Sequence, residues 1–421
     1  LAPALRGCAL FLCLAVISCG GGGSDAPSGS SSTSSGTGTG TVTPSANVVS
    51  VTVSGGPAGV NAINTLYTTV TVCVPNTTTC QTIDNIQVDT GSYGLRLLSQ
   101  ALTLSLPVAA AAGGGGLVEC TLFEDGYSWG PVALVDLQIS GESASNVPVQ
   151  LIGDSRYPTA PSDCTTALNP TPENTITEFG ANGILGIGPY VQDCGSTCAS
   201  SIPEPIAYYA CTSSTVCTGT LVPLTAQVQN PVTMFASDNN GTIITLPSVA
   251  STGAATVTGS LIFGVDTESN NASGTETVIP VVDGVITTVF DGTTLTQSFI
   301  DSGSNATYFN VPTGSPTITP CPSSGGSSAN TPTFYCPSSP ETLTGAFVLS
   351  NDSTVNASFE VASADSISNG VAAYPGLAGT LGTSMGSDIF DWGLPFFFGR
   401  RVANVIEGAT TSAGTGPYIA Y

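Results

Sequence analysis

Long charged side chains, the usual cover for the outer face of a helix, are scarce in this sequence. Asp, Glu, Lys and Arg make up 8% of its 421 residues, whereas Gly alone occurs 50 times. Long helices normally present Glu, Lys and Ala to solvent, while Val, Ile and Thr suit a pleated, half-buried surface. The chain therefore reads as strands joined by turns. Runs rich in Val, Ile and Thr lie at Val48–Val53, Thr68–Val74, Ile86–Val88, Val132–Ile139, Val147–Ile152, Thr242–Leu246, Ser260–Val265, Val278–Val282, Gly284–Phe290, Thr296–Ile300 and Ala346–Leu349. Gly, Asn, Asp or Pro bounds most of them. Helical periodicity is scarce, with Pro205–Cys211 the best candidate, so the expected class is all-β with few and short helices.

The same scarcity narrows the chemistry. All 5 cations are Arg (Arg6, Arg96, Arg156, Arg400 and Arg401), His is absent, and 28 Asp plus Glu bring the formal charge to -23. Ser/His/Asp and Cys/His nucleophiles, His-ligated zinc, a P-loop Lys and a Lys Schiff base each need a residue that the chain lacks. Nucleic acid and anionic membrane surfaces are bound through clusters of Lys and Arg, so neither is an expected charge-driven partner. Carboxylates, hydroxyls, thiols and backbone dipoles remain.

Cys8 to Ser18 is an apolar run behind Arg6, too short and too abruptly ended for a comfortable transmembrane helix. It closes on Val16-Ile17-Ser18-Cys19-Gly20, and a small residue before Cys followed by a Gly/Ser tract resembles the lipobox of bacterial lipoproteins. Residues 1–19 are then an export signal ending at Cys19, the lipidation site, with an ordinary cleaved signal peptide as the alternative. Residues 20–46, mostly Gly, Ser, Thr and Pro, bury too little apolar surface to fold and form a flexible tether. The expected location is the bacterial cell envelope, with the membrane contacted through the N-terminal lipid only.

Of 13 Cys, Cys8 and Cys13 lie in the signal and Cys19 takes lipid, which leaves an even number in the folded part. Export to an oxidising compartment favours disulfides. Zinc competes only at Cys194 to Cys217, a quartet without CxxC spacing. Pairing of neighbours is the simplest scheme: Cys73 with Cys80, Cys120 with Cys164, Cys194 with Cys198, Cys211 with Cys217, and Cys321 with Cys336. Sequence alone does not prove it.

Two segments carry the chemistry. Ile86-Gln87-Val88 runs into Asp89-Thr90-Gly91-Ser92, and Ser298-Phe299-Ile300 runs into Asp301-Ser302-Gly303-Ser304. Asp, Ser and Gly are ordinary turn formers, so the tetrapeptides alone do not settle a function. Their surroundings add weight. An apolar, Gly-containing segment follows each at nearly the same distance, Gly183-Ile184-Leu185-Gly186-Ile187-Gly188 in the first half and Asp391-Trp392-Gly393-Leu394-Pro395-Phe396 in the second. The chain is a loose duplication.

These residues resemble the two catalytic loops of the pepsin-like, bilobal aspartic proteases. Gly183 to Gly188 is similar to the apolar element that crosses behind their first loop, Thr258 to Asp266 to the strand that opens their C-terminal lobe, and Phe396 to Glu407 to their last strands. The likeness runs in order from about Val48 to the end and looks closest to an uncharacterised family of bacterial lipoproteins. It implies two pseudo-symmetric β lobes around a central cleft, residues 47–225 and 226–421, with Asp89 and Asp301 as the catalytic pair. Two carboxylates about 3 Å apart share a proton, one acting as base toward water and the other donating to the scissile carbonyl. Asp89 is assigned as the ionised partner and Asp301 as the protonated one. Gly91 and Gly303 would hold the carboxylates through backbone donors, Thr90 and Ser302 would lock the loops, and Ser92 and Ser304 would bond the outer oxygens. No metal or organic cofactor is called for.

A covering hairpin is expected at Phe123 to Gly130, with Tyr127 as flap residue and Phe123 or Trp129 as alternatives. Trp392, Leu394-Pro395 and Arg96 depart from the family pattern. Asp238 to Gly241 and Asp266 to Glu268 read as turns rather than calcium loops. Two functions stay open: an acid-active, monomeric endopeptidase acting on peptides or unfolded protein, and a non-catalytic binding protein that reuses the fold.

Overall fold

The computed structural model describes residues 45–167, 171–311, 318–322, 333–381 and 388–421. Cys19, the expected export signal and residues 20–44 of the tether lie outside them. The protein is all-β, with short α-helices at Ser162–Thr165, Ile176–Phe179 and Gly195–Ser200 among the described residues. Every Val/Ile/Thr run singled out from the sequence falls on a strand. In Val48–Val53, for example, Val51 and Val53 are buried while the residues between and before them are partly exposed, the alternation of a half-buried strand.

The expected helix at Pro205–Cys211 is not formed. Tyr208–Cys211 is instead a strand, paired antiparallel with Gly116–Leu122 on one side and Cys217–Gly219 on the other. All four of its residues are buried. Two packed aromatics with ladder partners on both edges favour a pleated surface over the weak helical pattern.

The two halves share one sheet. Val48–Val53 pairs antiparallel with Val257–Phe263, placing Val51 opposite Gly259. The sheet continues through Gly241–Thr245, Arg401–Val405, Tyr418–Ala420 and Val278–Pro280. A separate sheet holds the remaining second-half strands from Ile286–Phe290 to Phe390–Trp392. Neighbouring cysteines are joined in five disulfides: Cys73–Cys80, Cys120–Cys164, Cys194–Cys198, Cys211–Cys217 and Cys321–Cys336.

The duplication seen in the sequence is a duplication of strand order. Cys80–Asp89 runs parallel to Gly183–Ile187, which is antiparallel to Tyr93–Leu98. Thr293–Ile300 runs parallel to Phe390–Trp392, which is antiparallel to Thr307–Phe309. In each half a strand enters a loop, another leaves it, and a strand from far along the chain fills the gap between them. The filling strand must approach closely. A Cβ on Gly186 would stand 2.5 Å from the Tyr93 nitrogen, and one on Gly393 would stand 2.1 Å from the Ala306 oxygen.

The fillings differ in size. Leu185 lies opposite Val88, whereas Trp392 occupies the matching place opposite Ile300. Trp392 is fully buried, its ring 4.5 Å from Phe390 and 4.9 Å from Phe347, and its indole N–H donates to Thr288 Oγ1 at 3.0 Å. The larger side chain therefore has both its apolar area and its one donor satisfied.

Arg96 is buried on the strand that leaves the first loop. Its guanidinium contacts Glu119 at 2.6 Å and Asp193 at 3.2 Å, bonds Thr121 Oγ1 at 3.0 Å, and donates to the Tyr93 carbonyl. Tyr208 donates to Asp193 at 2.7 Å, and Thr121 to Gln150 at 2.9 Å. Burial, and then Glu119, push the Asp193 carboxyl well above its usual range. Removing the cation would strand acidic groups in the interior, a change that costs about 3–5 kcal/mol when a buried pair is broken. Arg96→Met is expected to lose that much in urea unfolding; a loss under about 1 kcal/mol would contradict the role assigned to the cluster.

Candidate active site

Asp89 ends the Cys80–Asp89 strand, and Asp301 follows directly on Thr293–Ile300. The two strand orders described above bring their loops face to face. Thr90 N donates to Ser302 Oγ at 3.1 Å, and Ser302 N donates to Thr90 Oγ1 at 2.9 Å. Each hydroxyl then donates across to the strand behind the opposite loop, Thr90 Oγ1 to the Ile300 carbonyl at 3.2 Å and Ser302 Oγ to the Val88 carbonyl at 2.9 Å. Four reciprocal bonds thus fix one loop against the other. All the side chains concerned are buried, so losing any of them leaves polar groups unpaired.

The carboxyls are held in the same symmetric way. Gly91 N donates to Asp89 Oδ1 and Gly303 N to Asp301 Oδ1, both at 2.7 Å. Ser92 Oγ donates to Asp89 Oδ2, and Ser304 Oγ lies 2.8 Å from Asp301 Oδ2. Each Gly also faces the opposite carboxyl. A Cβ on Gly91 would stand 2.6 Å from Asp301 Cγ, and one on Gly303 would stand 2.5 Å from Asp89 Oδ1. Absence of a side chain at these two positions is what lets the carboxyls meet and hydrogen-bond one another.

Both acids are sealed from solvent, Asp89 at 0% and Asp301 at 1% exposure. Burial foremost, then the charge of Asp301, raises the Asp89 carboxyl well above its usual range. Two buried carboxyls in this contact share one proton between them. The arrangement can offer a proton from one carboxyl and accept a proton at the other.

Two concavities flank the pair. One has a cavity volume of about 60 Å³ and is lined by Asp89, Gly303, Gln87, Phe123, Asp125 and Phe179 among others. The other, about 30 Å³, is lined by Asp301, Gly91, Tyr93, Ile286 and Phe299 among others. Together they reach both sides of the two carboxyls, and their walls mix apolar with polar groups, as ligand sites do.

The expected hairpin is present: Gly116–Leu122 pairs with Tyr127–Ile139, with Leu122 opposite Tyr127 and the turn closed between Phe123 and Gly126. Its tip reaches the cavity beside Asp89 through Phe123 and Asp125. Phe123 is buried and packs edge-on against Phe179 at 5.7 Å. Tyr127 packs elsewhere, against the cluster of Val118, Cys120, Trp129 and Tyr209. Glu124, in the turn, is raised to about 7 by burial and then by Asp125.

The acidic turns behave as local ties. Asp266 accepts from Ser412 N and Oγ at 2.7 Å and from Ser273 N, and is lowered to about 2. Asp238 accepts from Thr267 Oγ1. Cys321, Cys336 and Asp365 lie close enough to share a metal, but the two cysteines are spent in a disulfide. One residue near the site was missed from sequence. Asp391, noted only within an apolar segment, is buried with its Oδ2 at 2.5 Å from Ser304 Oγ.

A family model described as "Protein of unknown function (DUF3443)" matches residues 43–421. The chain belongs to this family. No curated protein matches it. Among solved structures it is similar to the aspartic proteinase from Irpex lacteus, with 14% identity, 89% of this chain and 96% of that chain covered, and a TM-score of 0.48.

Protonation has a definite consequence for stability. Asp89, Asp193, Glu142 and Glu124 are raised, so their contribution is full below the unfolded values near 4 and is lost as pH rises through the folded ones, about 7 for Glu124. Asp266 is lowered, so its contribution persists until pH falls through about 2. Both sets act together near pH 4.5, where protonation also relieves the self-repulsion of the acidic chain. The thermal midpoint should be higher at about pH 4.5 than at about pH 8; the reverse order would contradict these shifts.

Proposed function

We propose that this DUF3443 protein is an aspartic endopeptidase, anchored in the bacterial envelope through a lipid on Cys19 and acting as a monomer on peptides or unfolded protein. The observation that carries the reading is the direct hydrogen bond between the Asp89 and Asp301 carboxyls at the junction of the two cavities. A peptide lying through both cavities would pass its backbone over the pair. The anchoring and the location rest on the sequence pattern at the N-terminus.

In the reaction, a water between the carboxyls loses a proton to the ionised member as its oxygen bonds to the peptide carbonyl carbon. The protonated member gives its proton to the carbonyl oxygen, forming a neutral tetrahedral diol. Proton transfer to the amide nitrogen then accompanies breakage of the C–N bond, and the diol collapses to a carboxylic acid and an amine. The pair ends with the single proton it started with. Phe123 and Asp125, at the hairpin tip, supply the cover that keeps bulk water out, and substrate entry requires the tip to lift.

Purified protein incubated with denatured substrate between about pH 3 and 7 should cleave it, and a statine-type inhibitor should stop the cleavage. Asp89→Asn and Asp301→Asn should each reduce kcat by at least about a thousandfold with the fold retained, since neither single carboxyl can both accept and donate. If no inhibitor-sensitive cleavage appears, the fold serves binding and not hydrolysis; if either variant cleaves as the native protein does, the cleavage is not the work of this pair and the reading is lost.

A further inference from the structure

Ser304 stands between two acids. Its hydroxyl oxygen lies 2.8 Å from Asp301 Oδ2 and 2.5 Å from Asp391 Oδ2, while Asp301 is itself hydrogen-bonded to Asp89. Asp89, Ser304, Asp301 and Asp391 are all buried, none more than 3% exposed. The chain of contacts Asp89–Asp301–Ser304–Asp391 has three links, and each link needs one hydrogen. The Ser304 hydroxyl supplies one only. The other two must sit on carboxyls, so three carboxyls here hold two protons and one negative charge.

We infer that Asp391 is a protonated positioning residue that donates to Ser304 and thereby commits the Ser304 hydroxyl to Asp301, making Asp301 the ionised base of the pair and Asp89 its proton donor. A hydroxyl that accepts a bond donates a stronger one. Ser304 therefore stabilises a charge on Asp301 more than Ser92 stabilises a charge on Asp89, because the residue matching Asp391 in the first half is the apolar Ile184. The duplication is broken here, and the break assigns different roles to two otherwise equivalent acids. The opposite arrangement, with Asp391 ionised, puts a proton on both Asp89 and Asp301 and leaves no base. One proton shifted through Ser304 converts one arrangement into the other.

The surroundings favour the neutral form of Asp391. The parallel strand on one side places Phe299 and Ile300 against the Asp391-Trp392 pair. The antiparallel strand on the other side brings Tyr308, whose hydroxyl donates to Asn305 at 2.6 Å. Asp388, at the end of the same segment, is exposed and bonds Thr296. Ionisable groups in this neighbourhood are thus acids and a Tyr. The described cations are engaged elsewhere: Arg96 with Glu119, Arg156 with Asp154, Arg401 with Glu276, and Arg400 over the Phe396 ring. Burial away from any cation favours the neutral form, and the one charge settles on Asp301, which also accepts from Gly303 N.

This assignment rests on the proteolytic reading for its kinetic consequences but not for its protonation count, and the two are tested separately. Infrared difference spectra of the full chain and Asp391→Asn, without substrate at about pH 7, should show loss of one protonated-carboxyl band and no loss of carboxylate absorption. Loss of carboxylate absorption would overturn the assignment whether or not the protein cleaves anything. In cleavage assays, Asp391→Asn, whose amide still donates to Ser304, should keep kcat within about threefold and leave the acid limb of the pH profile in place. Asp391→Leu should lower kcat at least tenfold with little change in KM. Equal impairment of the two variants would reduce Asp391 to packing, and normal activity in both would remove it from the site; either result overturns the inference.

Discussion

Two carboxyl groups buried side by side cannot both carry charge, and the rest of this structure is arranged so that they need not separate. Bringing Asp89 and Asp301 together demands that their loops approach without side chains between them, which Gly91 and Gly303 allow. It also demands that the loops not drift apart under mutual repulsion. The reciprocal bonds of Thr90 and Ser302 answer that, each hydroxyl reaching the strand behind the opposite loop. The strands are in turn held by a third one filled in from far along the chain, Gly183–Ile187 in one half and Phe390–Trp392 in the other. The order of dependence runs from the acid pair outward to the sheets.

Departures from twofold symmetry sit where the halves do different work. Arg96 fastens the strand after the first loop with a buried ionic cluster, whereas the second loop rests on Trp392 and its aromatic neighbours. The hairpin tip with Phe123 and Asp125 belongs to the first half and overlooks the Asp89 cavity. Asp391 belongs to the second half and touches the pair through Ser304. A symmetric frame thus carries an asymmetric site.

Much of the fold was legible in the sequence because period-two runs of Val, Ile and Thr bounded by turn residues leave little choice of element. What failed was local. Tyr208-Tyr209-Ala210-Cys211 has no alternation, since both its faces are buried, so its strand character came from partners that only folding supplies. Tyr93–Leu98 and Gly183–Ile187, wholly buried, lack a polar face for the same reason. At the site, Asp89 and Asp301 could be paired from their repeated tetrapeptides, but the hairpin aromatics could not be ranked. Which of Phe123 and Tyr127 faces the cavity depends on the register of a two-stranded turn, where one step reverses every side chain. Asp391 was hidden by its neighbours: between Phe390 and Trp392 a lone acid reads as a turn or an accident, and its link to Ser304 exists only once the strand has been inserted.

The composition that first limited the chemistry also suits it. Lys and His are absent and the described Arg side chains are engaged elsewhere, so Asp89 and Asp301 neutralise each other by sharing a proton. The most direct measurement is a crystal structure of the protein with a statine-type inhibitor, whose hydroxyl stands in for the attacking water. The account predicts that hydroxyl within hydrogen-bonding distance of both Asp89 and Asp301, with the inhibitor's ends in the two flanking cavities. An inhibitor bound away from the pair, or a pair parted by a side chain when the cleft is filled, would contradict it.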